Sequence, residues 1–400
     1  MAKKICIKGG EVFFSEKKSI HKKDILISDG SIHRIDNEIQ TDRSVKIVNA
    51  TNKLVTPGLI DFHVHAFRYG DLLGIDTEEL SPRSGTTSFV DGGSTGSLNF
   101  LAFREYVIKL SKSNILAFLN VSAIGQVTFG IEGLHFYEND DERFLHIPSA
   151  FEVIEKNRNI IVGIKVRAYT GLKSIKPIQK ARELADLANL PIMVHLAPPP
   201  PEFSEILPHL KKGDIITHPY HGGKQTILDE RGKVRPEFWE AKQRGIEVDV
   251  GLDRFHGNLA VAKSALEQDF YPHYISTDLA MPNLHHIVYD LPTTLSKFVA
   301  LGLPLVEALE KCTYAPAVKM GKEKEIGCIQ EGGIGDIAIF EVVTDEQFFE
   351  DYFDNKIKSK ERILPLMTMR KGEILVPNTR TTESLDCVFK GKSRWHSDNG

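Results

Sequence analysis

Residues 57–65 read PGLIDFHVH. Leu59, Ile60, Phe62 and Val64 form a short apolar run of strand character, and His63 and His65 stand two apart at its end. Alternate residues of a strand share a face, so both imidazoles can point to the same side. An HxH pair alone is weak; the residues that follow give it meaning.

From residue 54 onward the chain alternates strand-like and helix-like stretches. Strand candidates fall at 54–64, 86–91, 115–121, 160–167, 192–196, 215–218, 246–250 and 274–277, and helices are predicted at 176–187, 236–244 and 259–268. Eight strands in about 270 residues, with crossovers between them, predict an α/β architecture, a (β/α)8 TIM barrel. Lys165 then falls at the end of the fourth strand, His195 of the fifth, His218 of the sixth and Asp278 of the eighth. Barrel enzymes carry their chemistry at these strand ends.

Outside the barrel, short strand-like runs lie at 5–14, 24–28, 31–35 and 45–48, and again at 335–343, 363–369 and 374–376. Asp29-Gly30 is a strong two-residue hairpin signal, and Lys371-Gly372 marks a further turn. Neither end carries enough apolar residues for its own core. Residues 1–54 and 328–390 are therefore expected to build one small composite β-sandwich flanking a barrel of residues 55–327, with 391–400 as a flexible tail. Four consecutive prolines, Pro198 to Pro201, predict a stiff loop after the fifth strand.

Fifty basic residues against 54 acidic ones give a net charge of −4, without the basic surplus of a nucleic-acid-binding domain. No apolar run approaches the roughly 18 residues of a membrane span, and MAKKICIKGG lacks the apolar core of a secretory signal. Cys6, Cys312, Cys328 and Cys387 form no CxxC pair, which fits a reducing cytoplasm. The expected partner is a small molecule, with neither nucleic acid nor membrane involved.

Neutral imidazoles suit borderline divalent ions, Zn²⁺ above all, and aspartate adds a hard oxygen ligand. His63, His65, His195, His218 and Asp278 are thus candidate metal ligands. Lys165 is costly to bury as an ammonium. It can be an ion-pair lysine, a Schiff-base lysine or, after adding CO₂, an anionic carbamate with two ligand oxygens. Arg167, two residues beyond Lys165, can share its inward face and offer a fork to a substrate carboxylate. Arg68, Tyr220 and His221 are further candidate substrate contacts.

The stretch PGLIDFHVH, the Lys-His-His-Asp series and residues 313–340 (TYAPAVKMGKEKEIGCIQEGGIGDIAIF) resemble the amidohydrolase superfamily. Residues 61–96 (DFHVHAFRYGDLLGIDTEELSPRSGTTSFVDGGSTG), 275–283 (ISTDLAMPN) and 290–303 (DLPTTLSKFVALGL) are similar to its dihydroorotase-like amidohydrolase/deacetylase members. The resemblance implies a binuclear centre, usually of Zn²⁺. His63, His65 and Asp278 would hold the more buried ion and His195 and His218 the more exposed one, with Lys165 bridging as N6-carboxylysine.

It further implies hydrolysis of an amide or ester bond by a metal-bridged hydroxide, an EC 3.5-type reaction, with Asp278 as catalytic base and then acid. The substrate class is a small N-acetyl or O-acetyl compound bearing a carboxylate. The alternative is cyclic-amide hydrolysis of the dihydroorotase kind. Against it, residues 66–76 (AFRYGDLLGID) lack a clear counterpart of the arginine- and asparagine-bearing loop that dihydroorotases place after HxH. Relatives often carry Gly-His-Gly after the seventh strand, where this chain reads DVGLDRFHGN at 249–258, so specificity is not carried over there. Barrels of this superfamily commonly associate, and a homo-oligomer is expected.

Overall fold

The computed structural model describes residues 4–376. The expected tail 391–400, the last part of the C-terminal sandwich segment, Cys387 and His396 lie outside the described residues.

Seven parallel strands run in chain order across one sheet: Leu59–Val64, Thr86–Asp91, Asn114–Asn120, Ile161–Ala168, Ile192–Leu196, Ile215–Thr217 and Glu247–Asp249. The eighth expected strand, at 274–277, is instead an irregular segment held by isolated bridges. Tyr274 pairs with Asp249 on the last strand, and Leu279 pairs with Val64 on the first. These bridges join both edges of the curled sheet into a barrel. The segment lacks a regular ladder because side chains take over its backbone: Asp61 accepts from both the N–H and the hydroxyl of Thr277, at 3.1 and 2.7 Å.

The first expected strand, 54–64, is two strands. Leu54–Pro57 belongs to a second sheet and Leu59–Val64 to the barrel. Gly58 makes the handover: a Cβ there would stand 2.1 Å from Thr87 Oγ1, so no larger residue lets the chain pass so close to the second barrel strand. The predicted helices form at Lys176–Ala188, Pro236–Gln243 and Leu259–Leu266.

The second sheet combines both ends of the chain. Its order is Glu373–Ile374, Lys356–Arg370, Ile337–Glu350, Leu54–Pro57, Lys4–Phe14, Ser19–Ser28 and Ser31–Asp36, with Lys46–Asn49 also paired to Lys4–Phe14. Its own core draws on both termini, including Ile5, Ile25 and Val55 with Ile337, Ile339 and Met369. The short strands expected at 335–343 and 363–369 are the base of a long hairpin whose register runs from Ile337–Met369 to Glu350–Lys356. Residues 341–350 alternate half-buried and exposed, and both sides mix acidic with apolar residues, so this extension carries no clean apolar alternation. Its tip, 351–355, reaches the barrel mouth, where Asp351 Oδ2 accepts from Leu259 N at 2.7 Å. Among the described residues no helix is long and apolar enough to cross a membrane.

Candidate metal centre

Below the site, Ile60, Phe62, Val90, Phe118, Met193, Ile215 and Tyr274 form an apolar floor, and Met193 Sδ lies 3.5 Å from Lys165 Nζ. The six residues expected as ligands converge above it and are all buried, none more than 7% exposed.

Proton bookkeeping on the imidazoles defines what the centre can hold. His218 Nδ1 lies 2.8 Å from Gly251 O, a pure acceptor, so Nδ1 carries the proton and Nε2 the lone pair. The hydroxyl of Thr217 donates to Asp249 Oδ2 at 2.7 Å, leaving its oxygen to accept from His63 Nδ1 at 3.1 Å. Ser94 repeats the arrangement: its hydroxyl donates to Asp91 Oδ2 at 2.8 Å and accepts from His65 Nδ1 at 2.8 Å. In neutral form, all three imidazoles therefore turn Nε2 lone pairs inward.

Those lone pairs face a carboxylate. Asp278 Oδ1 lies 3.3 Å from His63 Nε2 and 3.1 Å from His65 Nε2, and Oδ2 lies 3.6 Å from His218 Nε2. Acceptors held this close repel unless a proton or a metal ion sits among them. Burial holds His63, His195 and His218 well below the ordinary imidazole value, so they are neutral at pH 7. For His65 burial also opposes charge, but contact with Asp278 outweighs it and the value rises. His218 Nε2 and Asp278 Oδ1 are buried without a hydrogen-bond partner. The donor set fits divalent ions: His63, His65 and Asp278 can share one, and His195 and His218 lie beside them with ring centroids 4.5 Å apart.

Lys165 Nζ stands 2.8 Å from His63 Nε2, and burial pulls its pKa down, which favours the free amine that reacts with CO₂. Its approach depends on Gly93, at φ +90°, where a Cβ would stand 2.5 Å from Lys165 Cβ. Gly93→Ala combines that clash with a backbone conformation costing about 1–3 kcal/mol. Turnover should fall more steeply than thermal stability, and unchanged kcat would show that Lys165 tolerates displacement.

Two of the expected ligands also depart from ordinary backbone geometry. His218 and Asp278 have φ of +67° and +50°. Asp278 N donates to His63 O at 2.7 Å, tying the eighth segment to the first strand.

The other expected contacts divide. Arg167 lines the cavity, but Glu138, itself fully buried, pairs with it at 3.2 Å, and the rings of Phe129 and Tyr169 lie 4.9 and 5.6 Å from its guanidinium carbon. Arg68 pairs with Asp76 and lies over Tyr69, outside the lining. Tyr220 is buried in the core with its hydroxyl on Phe270 O at 3.0 Å, and His221 packs against Phe203; neither lines the cavity. Gln126, Arg254, His256 and Asn283 line it without having been singled out as site residues. His256-Gly257 was visible as a departure from Gly-His-Gly, but no spacing rule locates a side chain on a loop of that length.

The sequence of the Amidohydrolase family model matches residues 54–374. A deacetylase of Brucella anthropi is 32% identical over 338 residues, covering 83% of this chain and 82% of that protein. The solved structure of an adenine deaminase aligns with a TM-score of 0.84 at 28% identity, over 94% of this chain and 99% of that one. A dihydroorotase structure aligns with a TM-score of 0.83 at 27% identity, over the same shares of each chain.

Proposed function

Because the chain belongs to the amidohydrolase family, we propose that it is a binuclear metal-dependent hydrolase removing an acyl group, an acetyl above all, from a small carboxylate-bearing amide or ester. The observation that carries this reading is the convergence of three Nε2 lone pairs on the Asp278 carboxylate. His63, His65 and Asp278 would hold one ion and His195 and His218 the other, with Lys165 joining them as N6-carboxylysine. Two Zn²⁺ ions bound there would supply an acidified water and polarise the scissile carbonyl.

The chain's own residues do the rest. Asp278 faces the reacting centre with both oxygens; it accepts the proton of the attacking water and returns it to the departing amine or alkoxide. Asp249, Thr217, Ser94 and Asp91 keep the imidazole protons on the outer nitrogens, which fixes the lone pairs inward. The apolar floor and the Phe129 ring keep bulk water from the polar cluster.

Support for a carboxylate-bearing substrate lies with Arg254. Arg167 already has its countercharge in Glu138, whereas among the described residues Arg254 has no carboxylate partner and lines the same cavity. Arg254→Met should raise KM for acidic substrates by about 10- to 100-fold, the worth of a charged hydrogen bond, and leave neutral ones nearly unchanged. Arg167→Met leaves Glu138 buried without its partner, a change worth about 3–5 kcal/mol, and should lower Tm. Equal KM effects on acidic and neutral substrates in the Arg254 variant would remove its assignment.

The dihydroorotase structure favours a second reading, cyclic-amide hydrolysis. Against it, the first loop lacks a clear counterpart of the dihydroorotase loop, and its arginine, Arg68, is engaged with Asp76 away from the cavity. A hydrolysis screen of the Zn²⁺-loaded protein against N-acetyl amino acids, acetylated hydroxy acids and small cyclic amides decides between them. Acetate release supports the first reading, and ring opening without acetate release reverses the order. We also read the two-ended sheet as the composite β-sandwich that accompanies such barrels, and the enzyme as cytoplasmic.

A further inference from the structure

The loop after the seventh barrel strand carries an imidazole that the six-residue ligand set does not use. Asp253 turns this loop back on itself, accepting from Phe255 N at 2.7 Å and His256 N at 2.5 Å on one carboxylate oxygen. The turn sets the His256 ring against both histidines of the more exposed half of the centre. It stacks on His218 at 4.4 Å, with 29° between planes, and stands edge-on to His195 at 4.6 Å. A ligand nitrogen from each of His195, His218 and His256 lies within 4.8 Å of the others.

We propose that His256 is a third imidazole ligand of the ion that His195 and His218 would hold. The proposal rests on the binuclear reading above. His256 Nδ1 lies 3.0 Å from Asp253 Oδ1 but is buried without a hydrogen-bond partner, so the ring has an unsatisfied nitrogen beside the loop's own carboxylate. Across from it, the Nε2 lone pair of His218 is fully buried and without a partner. Ligand nitrogens of stacked imidazoles that share one small space repel one another, and a cation among them relieves the repulsion.

The loop does not need the ion to hold its shape. Asn258 N donates to Tyr220 O at 2.9 Å, which gives the buried Tyr220 a positioning role distinct from substrate contact. The hairpin tip secures the other side: Asp351 accepts from Leu259 N, Asn355 Nδ2 donates to Asn258 Oδ1 at 3.3 Å, and Tyr352 packs edge-on against Phe255 at 5.2 Å. The long extension of the terminal sheet thus fixes a ligand-bearing loop, and His256 is presented at a set distance from His218.

The test is metal binding by the full chain, stripped of metal and titrated with Zn²⁺ against a chromophoric chelator, then with Co²⁺ while its visible spectrum is recorded. Wild type should take two ions. His256→Phe keeps a flat ring for stacking but has no ligand atom. It should hold the first ion unchanged and the second on the order of 100-fold more weakly, with an altered Co²⁺ spectrum for that ion. His256→Asp restores a ligand atom and should recover part of the affinity. If His256→Phe binds both ions as wild type does while His195→Ala loses the second, the proposal is overturned and the binuclear reading stands. Fewer than two ions in wild type would overturn both.

Discussion

Asp278→Asn should give a folded protein that still takes up metal and turns over at least about 10³-fold more slowly, the scale of a lost general acid–base. The substitution is unusually clean at this position. Asp278 sits at φ +50°, a backbone region where Asn and Asp are the best tolerated residues after Gly. Its N–H bond to His63 O and the bond from Asn283 Nδ2 to its own carbonyl are main-chain contacts that Asn keeps. The amide oxygen can still face His63 and His65, so one ligand atom survives. What the amide cannot do is accept and return a proton. Near-normal kcat with intact metal content would remove Asp278 from the proton path. Loss of both metal and activity would instead assign it to ligation alone. Asp278→Ala would confuse these outcomes, because it removes the ligand oxygen as well.

The convergence of the six candidate ligands is readable in the sequence for a specific physical reason. Strands impose a period of two and a barrel fixes where each strand ends, so His63, His65, Lys165, His195, His218 and Asp278 could be ordered around one mouth from spacing alone. The same logic fails where backbone is not in a ladder. The segment before Asp278 reads as a strand because Tyr274 and Ile275 are apolar, yet Asp61 bonds the Thr277 backbone and breaks the regular pairing. Gly58 hid a change of sheet inside one apolar run, since the reason for it is Thr87, distant in sequence. Arg167 lines the cavity as its place beside Lys165 suggests, but nothing local shows that Glu138 would pair with it. His256 and Arg254 stand on a loop shaped by the turn at Asp253 and by a hairpin tip about 100 residues further along, and contacts of that range leave no trace in local periodicity.

The largest effect after Asp278 is expected at Lys165, where three chemistries predict different outcomes. Lys165→Ala should lose most turnover, by at least about 10³-fold, and the more weakly held of the two ions. Lys165 is fully buried between Gly93, Met193 and His63, so truncation leaves a narrow void opening on the ligand nitrogens. An ammonium is poorly placed there. It would add positive charge beside the inward-facing lone pairs of a site that is to hold two cations, and burial already disfavours it. Carbamate formation replaces that charge with a negative one and adds two oxygens at the same place. If this is its role, acetate or propionate should enter the void and restore part of the activity and the second ion in Lys165→Ala, with no effect on wild type. Reconstitution of the metal-free wild type should in turn depend on added bicarbonate. An ion-pair role predicts the opposite pattern, with rescue by methylamine or retention of activity in Lys165→Arg. A Schiff-base role predicts covalent trapping of a carbonyl substrate on wild type by borohydride. Rescue by small carboxylates and not by amines therefore distinguishes the bridging reading from both rivals. Rescue by amines alone would overturn it.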